Sequence, residues 1–250
     1  MTLAPDDDEQ LASRIAEAGG ELLLTLRRAG PFEGKSLGKT GDRVANAYIT
    51  EALRHARPDD AILSEEEAQD KSRLSSRRVW IVDPLDGTRE YGEERTDWAV
   101  HIGLAIDGRP AVGAVALPGM SLTICTSSPP RAPPAAGRLR ALVSRTRPAA
   151  ESLELAQRLD LELIPMGSAG AKAMAVVLGQ ADIYLHSGGQ YEWDSCAPVA
   201  VALAAGLHAT RIDGSPLRYN RQNPYLPDLL ICRQEIAESV LSEIRQMHSR

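Results

Sequence analysis

Two aspartates follow an apolar run at the end of a predicted strand. The residues VWIV at 79–82 are followed at once by the motif DPLDGT at 83–88. Proline, aspartate and glycine are turn residues, so a surface turn is one interpretation. The other is a metal site, because Mg²⁺ prefers oxygen ligands and ligand sites concentrate where strands end. A haloacid-dehalogenase motif, D-x-D-G-T, does not fit, because two residues separate Asp83 from Asp86.

Three further acids could complete a metal site. Glu65 follows a second short apolar run, Asp194 follows a glycine pair, and Asp42 follows a glycine-rich segment. Each has a structural alternative. Ser64 and Glu67 could form a capping box around Glu65, while Asp194 and Asp42 could be acids at helix N-termini. Together with Asp83 and Asp86, these acids predict one site assembled from distant parts of the chain.

Composition limits the function classes. The chain has 250 residues, of which 43 % are apolar, and a formal charge of −6, which argues against a nucleic-acid polymer or an anionic membrane as partner. No apolar run approaches the roughly 20 residues of a membrane span, and the acidic N-terminus lacks signal-peptide features. Three scattered cysteines predict reduced thiols in a cytoplasmic protein, and the five histidines form no zinc motif.

The hydrophobic pattern predicts two different halves. The first has helices over 8–29 and 42–57 joined by a glycine-rich loop at 30–41, strands at 61–63 and 79–82, and a hairpin around Asp107-Gly108 with a further strand at 121–126. In the second, strands alternate with helices near 148–159, 169–179 and 195–206, and a last helix ends the chain. This rhythm predicts a mostly parallel sheet with helices on both faces.

A proline-rich segment divides these halves. Residues 127–137 contain four prolines in eleven residues and are predicted to be irregular. We therefore expect a mixed α/β fold with two lobes, at 1–137 and 138–250.

The motifs resemble the inositol monophosphatase superfamily of Mg²⁺-dependent, lithium-sensitive phosphatases. VDPLDGTREY, preceded by LSEE and followed far downstream by EWD, carries this resemblance. The stretches VSRTRP at 143–148, GS at 167–168 with Lys172, and DGSPLRYN at 213–220 resemble the CysQ branch, which acts on 3′-phosphoadenosine 5′-phosphate (PAP). The resemblance implies a five-layer αβαβα sandwich of the inositol monophosphatase and fructose-1,6-bisphosphatase type, and a homodimer. It also implies an N-terminal α+β lobe at 1–137 that carries most metal ligands, and a C-terminal α/β lobe at 138–250 that carries Asp194 and the contacts that set substrate specificity.

The resemblance also implies roles for individual residues. Thr88, paired with Asp42, orients the attacking water, and Glu65 joins them in the catalytic set. The implied ligands of two or three Mg²⁺ ions are Glu65, Asp83, the carbonyl of Leu85, Asp86 and Asp194. The implied substrate-binding residues are Asp86, Gly87, Thr88, Ser144, Arg145, Ser168, Lys172 and Asp194.

The substrate-specificity residues have alternatives. Arg145 and Arg147 could lie in a solvated loop. Lys172, whose spacing from Ser168 is one residue longer than in many relatives, could be a solvated helix residue. Tyr219 is expected to pack rather than to stack on a base.

The implied activity is hydrolysis of PAP to AMP and phosphate in support of sulfate assimilation. One alternative is a broader phosphatase acting on inositol 1-phosphate or fructose 1,6-bisphosphate. A non-enzymatic alternative is a catalytically silent sensor of nucleotide or sugar phosphates. The acid at every expected ligand position and the presence of Thr88 argue against the sensor.

Overall fold

Two five-stranded sheets form the framework of the chain, which the computed structural model describes over residues 7–68, 70–135 and 137–248. The helices are α1 (Asp8–Ala29), α2 (Gly34–Ala56), α3 (Thr88–Gly92), α4 (Ala150–Arg158), α5 (Ala169–Val177), α6 (Glu192–Ala204) and α7 (Ala237–His248). The strands are β1 (Ala61–Ser64), β2 (Arg78–Asp86), β3 (Ala99–Ile106), β4 (Arg109–Leu117), β5 (Leu122–Cys125), β6 (Arg140–Ser144), β7 (Glu162–Met166), β8 (Ile183–Tyr191), β9 (His208–Thr210) and β10 (Tyr225–Cys232).

The first sheet has the order β1-β2-β3-β4-β5. Only its β1–β2 pair is parallel, and the other three pairs are antiparallel. The predicted hairpin is confirmed, with Asp107 (φ 52°) and Gly108 (φ 71°) both left-handed at the turn between β3 and β4. Two left-handed residues in a two-residue connection match the right-handed twist of the flanking strands.

The second sheet has the order β7-β6-β8-β10-β9. β6 pairs in parallel with β7 and β8, whereas β10 pairs antiparallel with β8 and β9. Four of its five strands, β7, β6, β8 and β9, therefore run in the same direction, which agrees with the prediction of a mostly parallel sheet, and β10 runs against them. Parallel neighbours need a crossover, usually a helix, and the described residues 211–224 between β9 and β10 contain no helix.

Helices and sheets alternate in five layers around three apolar cores. Ile15 of α1 and Ile49 of α2 share a core with Trp80 on the outer face of the first sheet. α5 and α6 lie between the sheets, where Val199 of α6 joins residues of both sheets in one core. α4 and α7 cover the outer face of the second sheet, where Ile244 is fully buried. The predicted αβαβα architecture is confirmed.

α2 begins at Gly34, so the predicted loop over 30–41 is wrong for most of its length. The glycines serve close packing. A Cβ on Gly38 would lie 2.7 Å from Thr88 Cγ2, and one on Gly41 would lie 2.9 Å from Tyr91 Cε1. Because real Cβ contacts are longer than this, only glycine lets α2 approach α3 so closely. The approach brings α2 beside the DPLDGT motif.

The described part of the proline-rich segment, residues 127–135 and 137, contains neither helix nor strand, as predicted; Ala136 lies outside the described residues. Each sheet is formed from one side of this segment, while the lobe boundary at residue 137 stays a prediction. Among the described residues, no helix is both long and apolar enough to cross a membrane.

Candidate active site

The DPLDGT motif is an extension of a strand. β2 continues through Asp86, and its pairing with β3 changes register between Asp83 and Asp86. Such an irregularity redirects side chains. Asp83 and Asp86 are only 1 % and 7 % exposed, so the interpretation as a surface turn is wrong. Asp83 Oδ1 accepts a hydrogen bond from the backbone N–H of Leu85 at 3.0 Å, which fixes the carboxyl within the motif.

The two aspartates of the DPLDGT motif form one cluster with an acid from a distant part of the chain. One carboxylate oxygen each from Asp83, Asp86 and Asp194 lies within 4.8 Å of the others. Asp194 is the third residue of α6 and accepts a hydrogen bond from the backbone N–H of Tyr191 at 2.6 Å. Glu65 lies outside this group of three but makes a side-chain hydrogen bond with Asp83. This set of oxygens suits a hard divalent cation such as Mg²⁺.

The proton affinities of these acids reflect their crowding. Burial, together with the charges of Glu65, Asp86 and Asp194, raises the pKa of Asp83 well above its ordinary value. Burial and the charge of Asp86 raise the pKa of Asp194 to about 7. Glu65 is exposed at the rim, yet partial desolvation and the charges of Asp42 and Asp86 raise its pKa to about 7 as well. Carboxylates this close repel one another unless a cation or a proton intervenes, so the donor set fits a metal centre.

Asp86 differs from its neighbours because protein donors hold its charge. Its Oδ2 accepts hydrogen bonds from Ser168 Oγ and, at 2.6 Å, from the backbone N–H of Gly170, and lies 3.3 Å from His101 Nε2. Burial alone would raise the pKa of Asp86, but His101, Ser168 and Gly170 lower it below its ordinary value. Asp86 therefore stays ionised. No motif in the sequence pointed to a role for His101, although the alternation of WAVHIGL placed a histidine within the predicted hairpin.

Thr88 and Asp42 meet as predicted. Thr88 Oγ1 lies 3.3 Å from Asp42 Oδ2 and 3.1 Å from the carbonyl oxygen of Leu85, the predicted carbonyl ligand. Burial, reinforced by the charge of Glu66, raises the pKa of Asp42 to about 7. Asp42 lies inside α2 rather than at its N-terminus, so the helix-dipole alternative is wrong.

The capping-box alternative at Glu65 is also wrong. Residues 65–67 form a turn rather than the start of a helix. Ser64 Oγ donates to Asn46 Oδ1 at 2.6 Å, and Glu67 pairs with Arg54 at 2.7 Å. Glu65 is thus left to face the acid cluster.

Asp86 and Asp194 of the acid cluster line a cleft of about 440 Å³. Four cationic side chains also line this cleft, those of Arg89, Arg145, Arg147 and Lys172. The predicted substrate-binding residues that line it are Asp86, Gly87, Ser144, Arg145, Ser168, Lys172 and Asp194. A separate hollow of about 480 Å³ near Arg131 and Glu235 contains none of the predicted residues.

Two of the cleft cations are anchored by the protein. Lys172 is 5 % exposed, and its Nζ donates to the carbonyl oxygens of Gly167, at 3.0 Å, and Ser168. Burial lowers the pKa of Lys172, and the solvated-residue alternative is wrong. Arg145 Nη2 donates to Glu90 Oε1 at 2.9 Å and to Glu93 Oε2 at 2.7 Å, which rules out a freely solvated side chain.

Arg147 and Tyr219 occupy positions that need no substrate contact to explain them: Arg147 is in a solvated loop and Tyr219 packs in the interior. Arg147 is exposed, in agreement with a solvated loop. Tyr219 is 3 % exposed, and its hydroxyl lies 3.2 Å from Ser195 Oγ, so it packs as expected.

Known proteins share both sequence and fold with this chain. The sequence profile of the inositol monophosphatase family matches residues 16–129 and 139–249. A protein of Mycobacterium leprae named 3′-phosphoadenosine 5′-phosphate phosphatase is 50 % identical over 255 residues, covering 96 % of this chain and 94 % of its own. The 3′(2′),5′-bisphosphate nucleotidase CysQ of Escherichia coli K12 is 31 % identical over 197 residues, covering 74 % and 80 %. Crystal structures of CysQ from Bacteroides thetaiotaomicron (25 % identity, TM-score 0.75, covering 90 % and 96 %) and of inositol monophosphatase II from Staphylococcus aureus (20 %, 0.81, covering 95 % and 95 %) share the fold.

Proposed function

Because the chain belongs to the inositol monophosphatase family, we propose that it is a metal-dependent phosphomonoesterase that removes the 3′-phosphate of PAP to give AMP and phosphate. The observation that carries this proposal is that two acids of the cluster, Asp86 and Asp194, line the same cleft as four cationic side chains. The names of the relatives from M. leprae and E. coli support the same substrate.

The proposed cofactor is Mg²⁺, bound as two or three ions. Its ligands would be the side chains of Glu65, Asp83, Asp86 and Asp194 and the carbonyl of Leu85. The close approach of three of these carboxylates supports this assignment. Bound divalent cations would supply Lewis-acid stabilisation of the negative charge that develops on the phosphoryl oxygens.

The proposed role of Thr88 is to orient the attacking water. Its hydroxyl hydrogen points to Asp42 or to the carbonyl of Leu85, so a lone pair of Oγ1 remains to accept a hydrogen bond from water. Either acceptor holds the hydroxyl in that orientation, and Glu65, the residue directly after β1, would face the same volume. The backbone N–H groups of Gly87 and Thr88 would face the phosphate that is transferred.

Recognition of a second phosphate would come from the other side of the cleft. An ammonium group has three N–H donors, and Lys172 uses two of them on the carbonyls of Gly167 and Ser168, which leaves one for substrate. Arg145 could offer the paired donors that suit phosphate, and Ser144 and Ser168 add hydroxyl groups. A monophosphate such as inositol 1-phosphate would leave these groups unused. Fructose 1,6-bisphosphate has two phosphates and could use these groups, so it represents the alternative of a phosphatase with broader specificity.

Steady-state kinetics with Mg²⁺ on PAP, inositol 1-phosphate and fructose 1,6-bisphosphate test the proposal. We expect kcat/KM to be highest for PAP and turnover to stop when the metal is chelated. A kcat/KM for PAP no higher than for inositol 1-phosphate would refute the nucleotide assignment. Unchanged turnover in Asp83→Asn would refute the metal mechanism, and binding of PAP by the wild type without any turnover would favour the silent sensor.

The remaining expectations rest on the family resemblance alone. We propose that lithium inhibits the enzyme, that it forms a homodimer, and that it works in the cytoplasm in support of sulfate assimilation. Inhibition assays with LiCl and sedimentation of the purified protein test the first two.

A further inference from the structure

His101 lies against Asp86 and against the residue before Asp194, so it contacts two parts of the chain that carry the acid cluster. It is fully buried on β3, in register with Asp83 of β2. Each ring nitrogen faces an oxygen acceptor: Nε2 lies 3.3 Å from Asp86 Oδ2, and Nδ1 lies 3.0 Å from the carbonyl oxygen of Trp193, the residue before Asp194. We infer that His101 is a positioning residue that aims Asp86 into the metal centre. This inference rests on the proposed metal-dependent function.

The hydrogen bonds to Asp86 determine which of its oxygens remains available. Oδ2 receives Ser168 Oγ and the backbone N–H of Gly170, and His101 approaches the same atom. A carboxylate oxygen has two lone pairs, so the two donated hydrogen bonds satisfy Oδ2 and leave Oδ1 for a cation. Partners of this kind hold ligands in place at metal sites in general. The His101 ring, with Nε2 at 3.3 Å from Oδ2, packs against this oxygen and therefore limits the rotation of Asp86 about its side-chain bonds.

The surrounding chain is shaped to admit the imidazole ring. A Cβ on Gly170 would lie 2.0 Å from His101 Nε2, so no other residue at position 170 allows the ring to reach Asp86. The ring thus lies where β3, the start of α5 and the start of α6 meet. Through the Trp193 carbonyl it also fixes the position of α6, which carries Asp194.

Two substitutions separate the two contacts of the ring. The amide nitrogen of Gln reaches the position of His Nε2 and can still donate to Asp86. The amide nitrogen of Asn reaches the position of Nδ1 and can donate only to the Trp193 carbonyl. Ser152→Ala is a matched control, because Ser152 is also buried and hydrogen-bonded, to the carbonyl of Leu185 at 2.8 Å, but contacts none of the acids.

The test measures binding of Mn²⁺ to the substrate-free protein by electron paramagnetic resonance of the free ion. We expect His101→Asn to weaken binding about 10–100-fold, the usual effect of losing a partner of a metal ligand. His101→Gln is expected to stay within about threefold of the wild type, and Ser152→Ala to match it. The Mg²⁺ dependence of kcat should shift in parallel, with kcat of His101→Asn largely restored at saturating Mg²⁺.

If His101→Gln and His101→Asn change Mn²⁺ affinity by the same factor, or if neither changes it, the inference is overturned. A histidine that only fills space would give the same Mn²⁺ affinity in both variants. If the wild type binds no Mn²⁺, the proposed function fails and the inference falls with it. A measurement on the wild type covers the case in which neither variant folds. In ¹H–¹⁵N spectra, His101 Nε2 should carry a hydrogen and shift when Mg²⁺ is added, and a bare or unshifted Nε2 also overturns the inference.

Discussion

Asp42→Asn should stabilise the metal-free protein at alkaline pH while it removes turnover. Asp42 is 7 % exposed, and among the described residues its Oδ1 has no hydrogen-bond partner. Burial and the nearby charge of Glu66 raise the pKa of Asp42 from 3.8 to about 7. The folded chain therefore resists ionisation of this carboxyl, whereas the unfolded chain does not.

The sign and size of the effect follow from proton linkage. Below about pH 4 the carboxyl is protonated in both states and contributes nothing to the pH dependence. As the pH rises from about 4 to about 7, only the unfolded state releases the proton, so the free energy of unfolding falls. The interval from 3.8 to about 7 corresponds to about 4 kcal/mol at roughly 1.36 kcal/mol per pH unit. An asparagine does not ionise, so the free energy of unfolding of the variant does not fall in this way as the pH rises.

Thermal melts in EDTA at pH 5 and pH 8 provide the measurement. We expect the advantage of Asp42→Asn over the wild type to grow between the two pH values, up to about 10 °C at pH 8 for a chain of this size. Asp107→Asn, an exposed aspartate on the β3–β4 turn, is the control and should show no such growth. An advantage that is the same at both pH values would refute the raised pKa. Undiminished kcat of Asp42→Asn with Mg²⁺ would remove Asp42 from the catalytic pair.

Substitutions at three further positions test the catalytic pair and the cleft by steady-state kinetics. Thr88→Ala should lower kcat about 10²–10⁴-fold while Thr88→Ser keeps most of it, and equal losses in the two variants would contradict the hydroxyl's role. Gly38→Ala places a methyl group 2.7 Å from Thr88 Cγ2 and should lower kcat with little change in the KM for PAP; an unchanged kcat would show that Thr88 tolerates displacement. Arg145→Ala should raise the KM for PAP about 10–100-fold, the equivalent of one charge-assisted hydrogen bond, and by much less for inositol 1-phosphate. Equal increases for both substrates would place Arg145 outside the second phosphate site.

Features with a strong local signal could be predicted from the sequence. The apolar period of α1 and the Asp107-Gly108 turn each lie within a short window, and both elements form where expected. The acid cluster was predicted because its members occur in motifs that resemble a known family. The structure brings Asp194 together with Asp83 and Asp86, which lie far from it in the chain.

Features that depend on partners distant in the chain could not be predicted. Gly38 and Gly41 suggested a loop, because a glycine that permits close helix packing looks the same in sequence as one that permits a turn. His101 escaped notice because its meaning depends on Gly170 and Asp86, which only the fold brings beside it. Likewise, the antiparallel position of β10 is decided by a connection that lacks a helix.

The ion pairs of Arg145 with Glu90 and Glu93 fix the guanidinium in place and surround it with negative charge. Arg145 extends from the end of β6 to two carboxylates on or next to α3, and both contacts are made by Nη2. The N–H groups of Nη1 therefore remain for an incoming anion, which the two neighbouring carboxylates repel. Only a strongly anionic ligand offsets that repulsion, so the two acids select against weakly charged molecules.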